Sequence, residues 1–198
     1  MPRKPTFDRD EVLERAMNVF WSRGYNRTSM RDLTEATRLN PGSLYAAFDN
    51  KQGVFEASIG RYVRGLQDEI EATLGGDAPP ADRIRRFFDN LLAGAERDRE
   101  SRGCLLVNTL LEAPAEEPGL RRRAGEALEL VERRFESLIA AGQADGSMRG
   151  EQSPATLARL LMIGIFGMRV YARMPDGPSH IREIVTTLLD LTLEPAQR

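Results

Sequence analysis

Residues 28–51, TSMRDLTEATRLNPGSLYAAFDNK, decide how the whole chain is read. Thr28 or Ser29 can cap a helix with Asp32 in its first turn, where a carboxylate suits the unpaired N–H groups. Met30, Leu33 and Thr37 share one face of that helix, which lasts barely two turns. Arg38-Leu39 make the turn. Asn40 is a good N-cap and Pro41 suits the first helical position, since the N–H that proline lacks would go unpaired there. Leu44, Tyr45 and Phe48 continue a second helix, and Asp49 with Gln52 fits the start of another. Two short helices joined by a tight turn form a helix-turn-helix, whose second helix is expected in the major groove of DNA.

The flanks agree. Val12, Leu13, Ala16, Val19 and Phe20 form a helical stripe over 8–23. Asp8 with Glu11 resembles a capping box at its start, and Gly24 ends it. Downstream, Phe55, Ile59, Tyr62, Val63, Leu66 and Ile70 predict one long helix over 51–74. GGDAPP (75–80) breaks the chain. Ile84, Phe87, Phe88, Leu91, Leu92 and Ala95 then mark a fifth helix. CLLVNTLL (104–111) suits strand or helix by content and is read as helix because its neighbours are helical. APAEEP (113–118) is a loop, followed by a seventh helix from Leu120 to Ile139 and a polar connection over 142–154. Residues 155–174 are apolar nearly all round, which predicts a helix covered on more than one side, with Gly164 and Gly167 permitting close approach. After a turn at 175–178, Ser179 caps a last helix, and His180 is read as a surface residue. The expectation is all-α, about nine helices and no strand.

Composition narrows the function classes. With 41% hydrophobic and 29% charged residues the chain reads as an ordinary soluble globular protein. No run of about eighteen apolar residues predicts a membrane span, and no apolar signal core predicts export. One cysteine excludes an internal disulfide framework and fits a reducing cytoplasm, and one cysteine with one histidine argues against a structural zinc. No metal or cofactor is expected. Net charge is −2, yet the first 55 residues carry +2 and the rest −4, a sign suited to a DNA-binding head on a neutral-to-acidic body. No GxSxG, HExxH, P-loop or strand–glycine–helix fingerprint occurs, so an enzyme is not expected. The remaining rival is a helical small-molecule-binding or adaptor protein that acts without DNA.

The three-helix N-terminal unit, the long fourth helix and the helical body together resemble the TetR/AcrR family of bacterial repressors. The stretch GYNRTSMRDLTEATRLNPGSLYAAFDNKQGVF (24–55) follows that family's glycine–aromatic, Thr-Ser, Asp-Leu, Gly-x-Leu-Tyr-x-x-Phe, Lys pattern. The resemblance implies a DNA-binding head over roughly 1–50, its motif at about 29–48, and a ligand-binding and dimerisation body over 51–198. It also implies a bacterial cytoplasmic homodimer, joined through the last two helices, that binds a pseudo-palindromic double-stranded operator and leaves it when a small-molecule effector binds. By motif position, Thr28 and Ser29 would offer hydroxyl and N–H groups to phosphate, Asn40, Pro41, Gly42, Ser43 and Tyr45 would face the groove or its walls, and Lys51 would hold a phosphate. Arg31 and Arg38 are further contacts from their placement, while Leu44 and Phe48 belong to the core. Two positions depart from the family: Arg38 stands where many members have a turn glycine, and Ala47 where many have a histidine.

RGCLLVNTLLE (102–112) is similar to a segment of NemR-like members, in which the cysteine helps sense electrophiles. A lone cysteine is otherwise a small buried hydrophobe, although Arg99 and Arg102 lie near Cys104 in sequence. Helix faces suggest an effector pocket among Tyr62, Phe87, Leu91, Cys104, Val107, Asn108, Leu111, Phe135 and Phe166, mostly apolar with few polar groups. Asn108 stands out because an amide on an apolar face needs a partner.

Overall fold

The computed structural model describes residues 7–98, 100, 102–174 and 177–194, with side chains given for all of these except 177–179. Arg99, part of the 175–178 turn and the Ser179 side chain therefore lie outside the described residues. Among those described there are nine α-helices and no strand: α1 (Arg9–Arg23), α2 (Met30–Thr37), α3 (Pro41–Phe48), α4 (Lys51–Leu74), α5 (Pro80–Arg97), α6 (Leu105–Glu112), α7 (Pro118–Ala144), α8 (Pro154–Tyr171) and α9 (Gly177–Leu193).

Several boundaries move, each for a local reason. Four helices start on a proline, so the rule applied to Pro41 extends to Pro80, Pro118 and Pro154, the last behind Ser153, whose hydroxyl accepts the Thr156 N–H. Residues 113–117 alone make the loop before α7, and α7 runs on to Ala144. Residue 179 lies inside α9 rather than ahead of it. The fourth helix is capped by Asn50, which accepts the Gly53 N–H at 2.9 Å, and not by Asp49, which closes α3 at φ +65°. At α1 the Asp8 carboxylate accepts from Asp10 and Glu11 N–H, but Glu11 does not reach back; its carboxylate pairs with Arg15 one turn on.

By packing, the chain divides into two compact units. The first comprises residues up to Leu66 together with Cys104–Gly125. Its centre is an aromatic group: Phe20 and Phe55 meet edge-on at 4.7 Å, and Tyr25 lies 4.8 Å from Phe55. Leu33, Leu44 and Phe48 bury the inner faces of α2 and α3. This core fixes α3 against α1 and α2, so its remaining face is presented outward.

The second unit comprises Gln67–Gly103 and the chain from Glu126 onward. Phe87, Phe88 and Phe135 fill its middle, Phe87 meeting Phe135 edge-on at 5.4 Å and Phe88 stacked on it at 6.0 Å. Arg83 of α5 donates to the last carbonyl of α4, that of Leu74, at 2.8 Å, so a cation closes the negative end of that helix. Arg85 ties α5 to α9 through Asp190 and Glu194. Gly164 of α8 faces Leu188 of α9 so closely that an added Cβ would meet its Cδ2, so its close approach is made within the chain, while Gly167 faces open space. The apolar girdle of α8 is only partly used inside: Leu157, Leu161 and Ile165 are buried, but Leu160, Ile163 and Val170 stand exposed, as do Ile184 and Leu191 of α9.

Candidate nucleic-acid interface

The interface is built from α2, the turn and α3. Ser29 caps α2 through a full capping box: its hydroxyl accepts the Asp32 N–H, and the Asp32 carboxylate accepts the Ser29 N–H at 2.8 Å and the Ser29 hydroxyl at 2.6 Å. Those hydrogen bonds, with Arg23 at 2.6 Å, hold the Asp32 carboxyl below the ordinary aspartate range. A carboxyl lowered on folding contributes stability above its unfolded value and loses it as pH falls through the lowered one, so α2 loosens in acid. Thr28, the other candidate cap, is buried and donates its hydroxyl to the Gly24 carbonyl at 2.8 Å. Of the two hydroxyls assigned to phosphate, Thr28's serves Gly24 and Ser29's serves Asp32. What remains at the start of α2 is the backbone of Met30 and Arg31, with the exposed Arg31 side chain in a surface pair with Glu35 at 3.2 Å that costs little to exchange.

The turn holds Arg38 at φ +59°, ψ +21°, the left-handed region glycine adopts freely. An arginine there is strained, and it is exposed. Arg38→Gly is expected to raise stability by about 0.5–1 kcal/mol while weakening operator binding, a split that thermal melts and fluorescence anisotropy on the same samples would read.

Asn40 accepts the Ser43 N–H at 2.8 Å, so its side-chain oxygen is spent on starting α3. Leu44 and Phe48 point into the core, as expected of them, and Arg9 lies over the Phe48 ring at 4.7 Å. The opposite face of α3 carries Pro41 and Gly42, both exposed, half-buried Ser43, and Tyr45 at 47% exposure. A Cβ added to Gly42 would touch only Asn40 Oδ1, at an ordinary 3.5 Å. Among the described residues nothing therefore requires glycine at 42.

Lys51 is not free. Its ammonium donates to the Tyr25 carbonyl at 3.2 Å and lies 4.2 Å above the Tyr25 ring. Tyr25 is buried, and its hydroxyl donates to Glu117 Oε1 at 2.8 Å. Burial first, then the Glu117 hydrogen bond and the charges of Glu117 and Glu56, push the phenol well above its ordinary range, so it stays protonated. Sequence reading missed this contact because 92 residues separate the partners.

The residues expected around an effector are distributed as follows. In the first unit the Tyr62 hydroxyl lies 3.6 Å from Cys104 Sγ, Val107 and Asn108 are half-buried, and Leu111 is 74% exposed. Leu111 points to solvent because α6 buries Leu105, Leu106 and Thr109 on its opposite side. In the second unit Phe87, Leu91 and Phe135 are buried in the core, and Phe166 is half-buried.

Comparison with known proteins bears on both parts of the chain. The family model described as bacterial regulatory proteins, tetR family, matches residues 12–58, and the Tetracyclin repressor-like C-terminal domain matches residues 80–188. The HTH-type transcriptional repressor ComR of Escherichia coli is 28% identical over 190 residues, covering 96% of this chain and 90% of its own. The HTH-type transcriptional repressor DhaR of a Mycobacterium species is 25% identical over 194 residues, covering 98% and 95%. Among solved structures, a cysteine mutant of the TetR family transcriptional regulator CifR, complexed with 26-bp double-strand operator DNA, superposes with a TM-score of 0.83 at 31% identity, over 94% of this chain and 98% of that one. The reduced form of E. coli NemR shares the fold with a TM-score of 0.83 at 18% identity, over 96% and 98%.

Proposed function

The chain belongs to the TetR family of bacterial regulatory proteins, and we propose that it is a homodimeric repressor that binds operator DNA through α3 and is released by a small-molecule effector. Functionally the division falls near residue 50, with the head before it and the ligand-binding and dimerisation body after it. One observation carries the reading: α3 turns Gly42 and Tyr45 outward, and among the described residues the Tyr45 side chain and the space at Gly42 meet no packing partner that would require them. On DNA, the N–H groups at the start of α2 and the side chains of Arg31, Arg38 and Lys51 meet phosphate, and Ser43 and Tyr45 meet the groove. The exposed apolar residues of α8 and α9 are the face that a two-fold contact between copies would cover. Footprinting on the duplex upstream of the chain's own coding sequence tests this; a two-fold protected site is expected, and protection indifferent to sequence would contradict it.

Effector contacts are proposed within the first unit, at Tyr62, Cys104, Val107 and Asn108. Such a ligand releases DNA only by binding the released state better than the DNA-bound one. The Tyr62 hydroxyl beside Cys104 Sγ gives the thiol a hydrogen-bonding neighbour and favours an electrophile as one effector class. Cys104→Ser is then expected to abolish release by a maleimide. Release that survives the substitution would exclude the thiol.

A further inference from the structure

The contacts around Tyr25 join two parts of the first unit that lie far apart in sequence. From α6 and the loop after it come two holds on the turn between α1 and α2. Glu117 Oε1 accepts the Tyr25 hydroxyl at 2.8 Å, and the Glu112 carbonyl accepts from Asn26 Nδ2 at 3.2 Å. The Glu112 carboxylate also lies over Gly24, where an added Cβ would meet Oε2 at 2.5 Å. From the other side Lys51 holds Tyr25 twice, at its carbonyl and over its ring. The same carbonyl accepts the Thr28 N–H at 3.3 Å. Tyr25 is thus gripped both by the loop after α6 and by the lysine assigned to phosphate.

We propose that Tyr25 and Glu117 are positioning residues for DNA binding, in which the α6–α7 loop grips Tyr25 and Tyr25 presents the Lys51 ammonium to the phosphate backbone. This rests on the repressor reading above. The chemistry is simple. An ammonium has three protons; the carbonyl takes one, the ring faces the charge, and the rest of the donor capacity remains for a phosphate oxygen. A carboxylate accepting the phenol proton pushes electron density into the ring and deepens the negative face that holds the cation. The second Glu117 oxygen is buried without a hydrogen-bond partner among the described residues, so the phenol is the carboxylate's hydrogen-bond partner there, while the Glu117 N–H, donating to the Pro114 carbonyl at 3.1 Å, fixes the residue in the loop. Displacing the loop, as an effector acting on α6 would do, removes the acceptor from Tyr25 and lets Lys51 swing. The consequence is weaker phosphate binding with no change in the groove-reading face of α3.

The test is a set of anisotropy titrations on the duplex from the chain's own upstream region, repeated over a salt series. Tyr25→Phe and Glu117→Ala are each expected to lower affinity about three- to tenfold, with Glu117→Gln, which keeps an acceptor, retaining most of it. Lys51→Ala is expected to flatten the slope of log K against log salt by about two for a dimer that loses two phosphate contacts. On the Lys51→Ala background, Tyr25→Phe and Glu117→Ala should make no further difference, because they act through that ammonium. A merely structural role would lower affinity equally on both backgrounds, and that result, or no effect on either, overturns the proposal. Should Tyr25→Phe fail to fold in a thermal melt, the Glu117→Ala and Glu117→Gln pair carries the same comparison. Wild-type protein that shows no specific binding to the duplex would instead overturn the repressor reading itself.

Discussion

Tyr45→Ala is expected to leave the fold unchanged and to lower operator affinity by about one to two orders of magnitude. Tyr45 is about half exposed on α3, and its neighbours Leu44 and Phe48 carry the packing of that helix into the core. Truncating a side chain on the solvent side costs the folded state little, within about 0.5 kcal/mol at an ordinary surface site. On DNA the same side chain is repeated by symmetry in two half-sites, so each lost contact counts twice. Gly42→Ala sharpens the test. The added methyl has room inside the chain and replaces a poor helix former with a good one, so stability should hold or rise slightly. If the backbone of α3 lies against DNA at that point, affinity falls all the same. Thermal melts and binding curves on both variants would show the separation; a parallel loss of stability would mean that the face is structural.

Gly53→Ala is expected to do the reverse, damaging the fold first and binding as a result. A Cβ at residue 53 would sit 2.0 Å from the Phe48 carbonyl oxygen and 3.1 Å from its carbon. That carbonyl already accepts the Asn50 N–H at 2.7 Å, and Asp49 between them is fixed at φ +65°. Neither partner is the flexible end of a side chain, so relief requires moving α4 relative to α3. The cost should be about 2–4 kcal/mol, a fall in melting temperature of roughly 5–15 °C for a chain of this size. Because the junction also sets the angle between α3 and α4, operator affinity should fall further than the loss of folded protein accounts for. A normal melt with normal binding would mean that the α3–α4 junction has more freedom than its geometry allows.

Much of the architecture could be read from local chemistry. Asn40-Pro41 announces the start of α3 because a cap and a proline each solve the same problem, the unpaired N–H groups of a first turn. The stripes of α1, α5 and α7 follow from burial on one side, and that of α4 does so over its first turns, since Tyr62, Val63, Leu66 and Ile70 are half-buried. Three boundaries lie at Pro80, Pro118 and Pro154, which begin helices for the reason Pro41 does, while Asn50 and residue 179 depart from expectation because neighbouring polar residues are interchangeable as caps in sequence. Ser29 and Thr28 could not be separated by sequence, because both can cap; only the buried Thr28 hydroxyl and its bond to Gly24 decide between them. The candidate interface was legible as a set of positions but not as a set of available groups. Asn40, Ser29 and Thr28 spend their side-chain oxygens inside the first unit, and Lys51 spends part of its charge on Tyr25. The pairing of Tyr25 with Glu117 has no periodic signature at all, since it depends on where α6 lies beside α1.

The proposed repressor function requires sequence-specific binding by α3. The most direct measurement is competition at physiological salt between the chain's own upstream duplex and a scrambled duplex of equal length, for wild type and for Tyr45→Ala. A specificity ratio of about 10³ or more is expected of the wild type, with most of it lost in the variant. A wild-type ratio near one, or a high ratio that Tyr45→Ala leaves untouched, would contradict it.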